Sequence, residues 1–130
     1  MKHFTISEML RSDTAMRLGV WNGASLEAEE NLRGRVENVL DPLRIRYGKP
    51  IRVNSGYRCP QLNKAIGGAV NSQHMRGEAA DITAGSPWEN LKLARLIEES
   101  GKFDQLIIYP TFIHVSWKRK GKNRKRIINL

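Results

Sequence analysis

The chain has 130 residues, 40% hydrophobic and 27% charged, with a formal net charge of +9 and one cysteine. That length fits one domain with a real core, and the balance is that of a soluble globular protein with no apolar run able to span a membrane. A single cysteine excludes an intramolecular disulfide and a thiolate-rich zinc knot, and Cys59 reads as a small turn residue before Pro60.

The start, MKHFTISEMLRSD, lacks a continuous apolar stretch and a small-residue cleavage site, so no secretion signal is expected and synthesis in the cytoplasm follows. His3 near this end is read as unrelated to function. Residues 6–17 carry Ile6, Met9 and Leu10 at helical spacing and predict a short first helix. Asn22–Gly23 makes a turn, and Ser25 then caps a long amphipathic helix with Glu27, Glu29 and Glu30 in its first turns. Its apolar stripe is Leu26, Leu32, Val36, Val39, Leu40 and Leu43. Pro42 is expected to end or kink the helix late, and Gly48 to stop any helical continuation beyond it.

IRVNSGYRC, 51–59, reads as a strand running into a turn, and QLNKAIG, 61–67, as a short helix closed by Gly67–Gly68. EAADIT, 78–83, alternates like a strand. SPWE, 86–89, starts a helix with Ser86 as N-cap, Pro87 at the first position and Glu89 completing a capping box, and Gly101 stops it. FDQLIIY and FIHVSW read as two further strands around a turn at Pro110–Thr111. Lys118, Arg119, Lys120, Lys122, Arg124, Lys125 and Arg126 account for most of the net charge and read as a basic, solvated tail over 118–130. The rest, 1–117, is expected to be a single α+β domain, its helices on one face of a small, largely antiparallel sheet.

The chemistry concentrates in NSQHMRGEAADIT, 71–83. Alternation puts Ala79, Asp81 and Thr83 on one face of a strand, and His114 with Ser116 on one face of another, with Ile113, Val115 and Trp117 opposite. His74 enters from the loop ahead of the first strand. Two histidines and a carboxylate form a common open zinc site, with water in the fourth position. The same residues also fit a satisfied core histidine and a strand-end aspartate capping a turn.

SGYRCPQLNKAIGGAVNSQHMRGEAADI, 55–82, with the later FDQLIIY and IHVSW, resembles the zinc peptidases that cleave bacterial cell-wall peptides. These are the D-alanyl-D-alanine carboxypeptidases, VanX-like dipeptidases and phage L-alanyl-D-glutamate endopeptidases. The likeness runs from about residue 5 to 117, and its most specific element is Ser72, His74, Gly77, Ala79, Asp81 and Ile82 at fixed offsets. The resemblance implies a Hedgehog/DD-peptidase-like fold, Zn2+ held by His74, Asp81 and His114, and peptidoglycan stem peptides as substrate. It also implies that Arg58 holds or polarises the substrate, a task suited to a permanently charged fork, and that Ser72 hydrogen-bonds substrate or its own loop.

The implied reaction is metal-assisted hydrolysis, in which a carboxylate takes a proton from the attacking water and passes it to the leaving amine. Many members of the family carry that acid three residues before the last histidine. Here Thr111 stands there and cannot do so. Asp104, at the head of FDQLIIY, is the expected substitute, ahead of Glu78, which alternation turns away from Asp81. Trp117 is expected in the core.

The reading is therefore a zinc metallopeptidase of carboxypeptidase or endopeptidase type, acting on the cell wall after phage-type release. The alternative is a zinc-containing wall-binding module of the same fold with little catalysis. The basic tail suits an anionic wall polymer, and it lacks the interleaved aromatics or recognition helix of a specific nucleic-acid binder.

Overall fold

The computed structural model describes residues 2–130. The first predicted helix is two helices, α1 (Ile6–Leu10) and α2 (Asp13–Leu18). The break is local: Ser12 turns extended and its hydroxyl accepts the Ala15 N–H at 3.0 Å, starting a new helix. Thr5 and Glu8 make a reciprocal capping box on α1, whereas the one expected at Ser86 is not completed. Ser86 does cap α6 (Pro87–Ser100), but the Glu89 carboxylate accepts instead from Tyr47 Oη at 2.7 Å and from Lys49 at 3.1 Å. Tertiary partners outcompete the local cap.

Ser25 caps α3 (Leu26–Arg35) as expected. The chain then passes through one wide π turn, Val36–Leu40, into α4 (Asp41–Tyr47). Pro42 does not end the helix. The wide turn, closed by the Asp41 N–H on the Val36 carbonyl, absorbs a residue that has no N–H of its own. Gly48, at φ +79, ends α4.

The sheet has the order β1-β2-β4-β3-β5, where β1 is Arg52–Ser55, β2 Ala79–Thr83, β3 Gln105–Ile108, β4 Ile113–Ser116 and β5 Arg126–Asn129. All pairs are antiparallel except β3 with β5. On one face Ala80, Ile82, Leu106, Ile113 and Val115 are buried in the helix-covered core with Leu32, Val36, Leu93 and Ile97. Each such aliphatic side chain contributes about 1.5–3 kcal/mol on burial. On the other face the register aligns Ser55, Asp81, His114 and Ile107 across four strands. The α+β architecture expected from the sequence is the one observed.

The segment 118–130 differs from the solvated extension expected of it. Arg126–Asn129 adds an edge strand beside β3, and the Asp104 carbonyl accepts the Arg126 N–H at 2.9 Å. Trp117 packs against the core, its ring over Gly34 of α3, where a Cβ would collide with it. Among the described residues, no helix is long and apolar enough to cross a membrane.

Candidate metal centre

The turn that carries His74 is assembled by short-range bonds. Gln73–Arg76 forms one 3-10 turn, capped by the Ser72 hydroxyl, which accepts the His74 N–H at 3.2 Å, and ended by Gly77 at φ +74. A Cβ at Gly77 would also strike the Ala28 carbonyl of α3, so both backbone conformation and space require glycine there. β2 begins two residues later and delivers Asp81 to the exposed sheet face, where β4 brings His114 directly opposite.

His74 is 1% exposed. Its Nδ1 lies 2.6 Å from the Gly56 carbonyl, an acceptor, so Nδ1 carries the proton and Nε2 is left with a lone pair free for a metal, 3.3 Å from Asp81 Oδ1. His114 Nδ1 lies 2.9 Å from the same Oδ1. One ligating atom from each of His74, Asp81 and His114 falls within 4.8 Å of the others. Burial pushes the His74 imidazole below its ordinary pKa, against the pull of Asp81, which favours the neutral form a metal needs. Burial raises the Asp81 carboxyl, but the hydrogen bond from His114 and the closeness of both imidazoles outweigh it and hold the group well below the usual carboxylate range. Two imidazoles and a carboxylate, with the back of one imidazole fixed by a carbonyl, fit zinc with an open fourth position.

This triad lies in the wall of a cavity of about 700 Å³. Arg58 and Ser72 line it too, as does the pair Tyr109 and Phe112, stacked at 4.5 Å between centroids. The loop bearing Arg58 is fixed from several sides. Its N–H donates to the His74 carbonyl at 3.1 Å, and Asn22 donates to the Tyr57 and Leu10 carbonyls while accepting the Cys59 N–H. Cys59 caps α5 (Pro60–Ala65) through its sulfur, a structural role as expected. Burial lowers the Arg58 pKa, with Asp81 and Tyr109 acting the other way, and its Nε is buried without a hydrogen-bond partner. Gly68 leaves room for its Nη1, which a Cβ there would approach to 3.0 Å.

The expected proton carrier is placed elsewhere. Asp104 is fully buried, outside the cavity lining, and its carboxylate accepts from Arg124 Nη2 at 2.8 Å, the Arg124 N–H at 2.8 Å and Gln73 Nε2 at 3.0 Å. Burial raises its pKa, but those bonds prevail and hold it at about 2. A group so satisfied and so acidic is a poor base. Glu78 is occupied by Arg76 at 2.9 Å and Gln73 at 3.3 Å and also stays out of the cavity. Thr111 is exposed in the β3–β4 turn, where its carbonyl accepts from Asn90. Among the described residues, Asp81 is the one carboxylate that lines the cavity.

Two residues that sequence reading passed over support the centre. Arg35 is fully buried on α3 and donates to the carbonyls of Gly77 and Ala79 and to Met9 sulfur, and burial lowers its pKa to about 9. It pins both ends of the segment between the 3-10 turn and β2. Its position on the Leu32–Val36–Val39 stripe was the available signal. Gln73 ties the His74 turn to Asp104, and only the folded chain brings those two together.

An open three-residue centre on a sheet face, at the wall of a substrate-sized cavity, is the arrangement of catalytic rather than structural metal sites. The model of the family described as Peptidase M15 matches residues 2–116, and the chain belongs to that family. It is 37% identical over 87 residues to the zinc D-Ala-D-Ala carboxypeptidase of Streptomyces albus G, a match covering 65% of this chain and 32% of that protein. The matched segment is thus about a third of the relative's length.

Proposed function

We propose that the protein is a zinc-dependent peptidase acting on the stem peptides of peptidoglycan, as a carboxypeptidase or an endopeptidase. One observation carries the reading: His74, Asp81 and His114 converge within 4.8 Å in the wall of an open cavity. Membership of the M15 family supports the reaction class, and the similarity to a zinc D-Ala-D-Ala carboxypeptidase supports the substrate.

Zinc at such a site supplies a Lewis acid for the amide carbonyl and lowers the pKa of a water to about 7. The protein's own groups do the rest. The Gly56 carbonyl holds the His74 ring in one tautomer, and Asp81 spans both imidazoles. Arg58, charged and short of one partner, receives a substrate carboxylate or charge growing on the carbonyl oxygen. Tyr109 and Phe112 give the peptide an apolar wall. Ser72, its oxygen engaged by the turn, offers its hydroxyl proton to substrate. The exposed Lys120, Lys122 and Lys125 suit loose attraction to an anionic wall polymer.

A second reading draws on the lack, among the described residues, of any carboxylate besides Asp81 in the cavity lining: a module that binds wall peptides through zinc and hydrolyses them little. Metal content, measured together with amine release from purified peptidoglycan with and without chelator, separates the two. One zinc per chain and release that stops with chelator supports the peptidase. Zinc without release, with the protein still pelleting with the wall, supports the module. No zinc overturns both.

A further inference from the structure

The family match ends at residue 116, yet the cavity does not. Lys118 and Arg124 line it together with the metal triad. In strand order, Arg58 follows β1 at one edge of the sheet and Arg124 precedes β5 at the other, with Asp81 on β2 and His114 on β4 between them. Arg76 lines the cavity too, but its charge is met by Glu78 at 2.9 Å. The β5 end is therefore cationic, and among the described residues Asp81 is the one acidic side chain in the lining.

Arg124 is held there by a built device. Asp104, 0% exposed, grips its Nε, Nη2 and backbone N–H at 2.8–3.3 Å, and Lys118 Nζ approaches the same carboxylate at 3.8 Å. Asn123 closes the intervening loop, accepting the Lys118 N–H at 2.8 Å and donating to the Lys118 carbonyl at 3.2 Å. Gln73 bonds the same Asp104, linking this end to the His74 turn. One buried carboxylate orients two cations, and the Arg124 side chain is still 49% exposed. Two positive charges oriented by one negative charge leave an excess for a ligand.

We propose that Lys118 and Arg124 form an anion subsite that selects peptides carrying a second carboxylate, away from the scissile bond and on the β5 side of the metal, with Asp104 as its positioning residue. The proposal rests on the peptide-binding reading above and places its two cations, Lys118 and Arg124, beyond the residues that the family model matches. A partly exposed charge pair of this kind is worth roughly fivefold to tenfold in selectivity, about 1 kcal/mol.

The test compares two synthetic stem-type pentapeptides, one with a free side-chain carboxylate and one with that group amidated. The ratio of their kcat/KM values is read for the zinc-loaded full chain. A preference of about fivefold to tenfold for the free acid is expected, falling towards one in Arg124→Gln combined with Asp104→Asn, a pair that avoids leaving a buried unpaired carboxylate. Lys118→Gln, which keeps the Asp104–Arg124 pair, reduces the ratio by about half and covers the case in which the double variant does not fold. Equal use of the two peptides by the native chain, or a ratio unchanged in Lys118→Gln and in the double variant if it folds, overturns the proposal. If neither peptide is cut, the peptidase reading fails alone. Titration calorimetry with the same pair then reads the subsite, and equal affinities overturn it.

Discussion

The turn and strand at 72–81 and the basic segment at 118–130 border one cavity, yet they are held by different forces. The first is local: Ser72 caps a single turn, Gly77 supplies a positive φ, and His74 and Asp81 lie seven residues apart in the chain. The second depends on partners far away. Arg124 is fixed by Asp104, twenty residues earlier, and β5 exists only because β3 offers it an edge. A site made of short-range bonds leaves a motif in the sequence, whereas one made of long-range ion pairs leaves only composition.

The largest effect is expected at the centre of the local region. His114→Ala or His74→Ala should drop zinc from one per chain to none and turnover by at least about a thousandfold. Either variant keeping stoichiometric zinc would remove the residue from the ligand set.

Next comes a long-range support of the local region, the buried Arg35. Arg35→Ala leaves the Gly77 and Ala79 carbonyls without their buried donor and opens a cavity beside Met9. A loss of about 3–5 kcal/mol in urea unfolding is expected. A loss below about 1 kcal/mol would mean the turn stands by itself, sharpening the contrast between the two regions.

Gly77→Ala should cost about 2–3 kcal/mol, from the left-handed backbone and the contact with the Ala28 carbonyl together. Weaker zinc binding should accompany it, as measured by competition with a chelating dye. Unchanged zinc affinity would separate the turn's geometry from the metal.

The smallest of these effects belongs to the basic segment. Asp104 stands at about 2 in the folded chain against an ordinary 3.8, so its stabilisation is complete above about pH 4 and is lost as pH falls towards 2. The contribution is about 2 kcal/mol. Asp104→Asn should flatten that limb of the stability-versus-pH curve, and a variant curve parallel to the native one would show that the Asp104–Arg124 pair does not hold β5.

Most helices and strands were legible because caps, glycines and apolar periods are local. Ser25, Ser86, Gly48 and Gly101 bound the helices they were expected to bound, and alternation placed Asp81 and His114 on one sheet face. The misses share a cause. Glu89 left its capping box for Tyr47 and Lys49, Pro42 was absorbed by a wide turn, and Asp104 was taken by Arg124 before it could serve as a base. In the last case, strand adjacency put Asp104 near the right strand, but only side-chain pairing decided where its charge was spent.

By itself, the sequence determined the α+β class and the family, and fixed offsets between His74, Gly77 and Asp81 encoded one turn and the strand after it. The tertiary structure alone decided that the basic segment lines the cavity, that Arg35 braces the start of β2 from inside the core, and that, among the described residues, no carboxylate besides Asp81 lines the cavity. Those outcomes depend on which distant charges meet once the sheet is assembled, and a buried charge settles on whichever partner best offsets the loss of water.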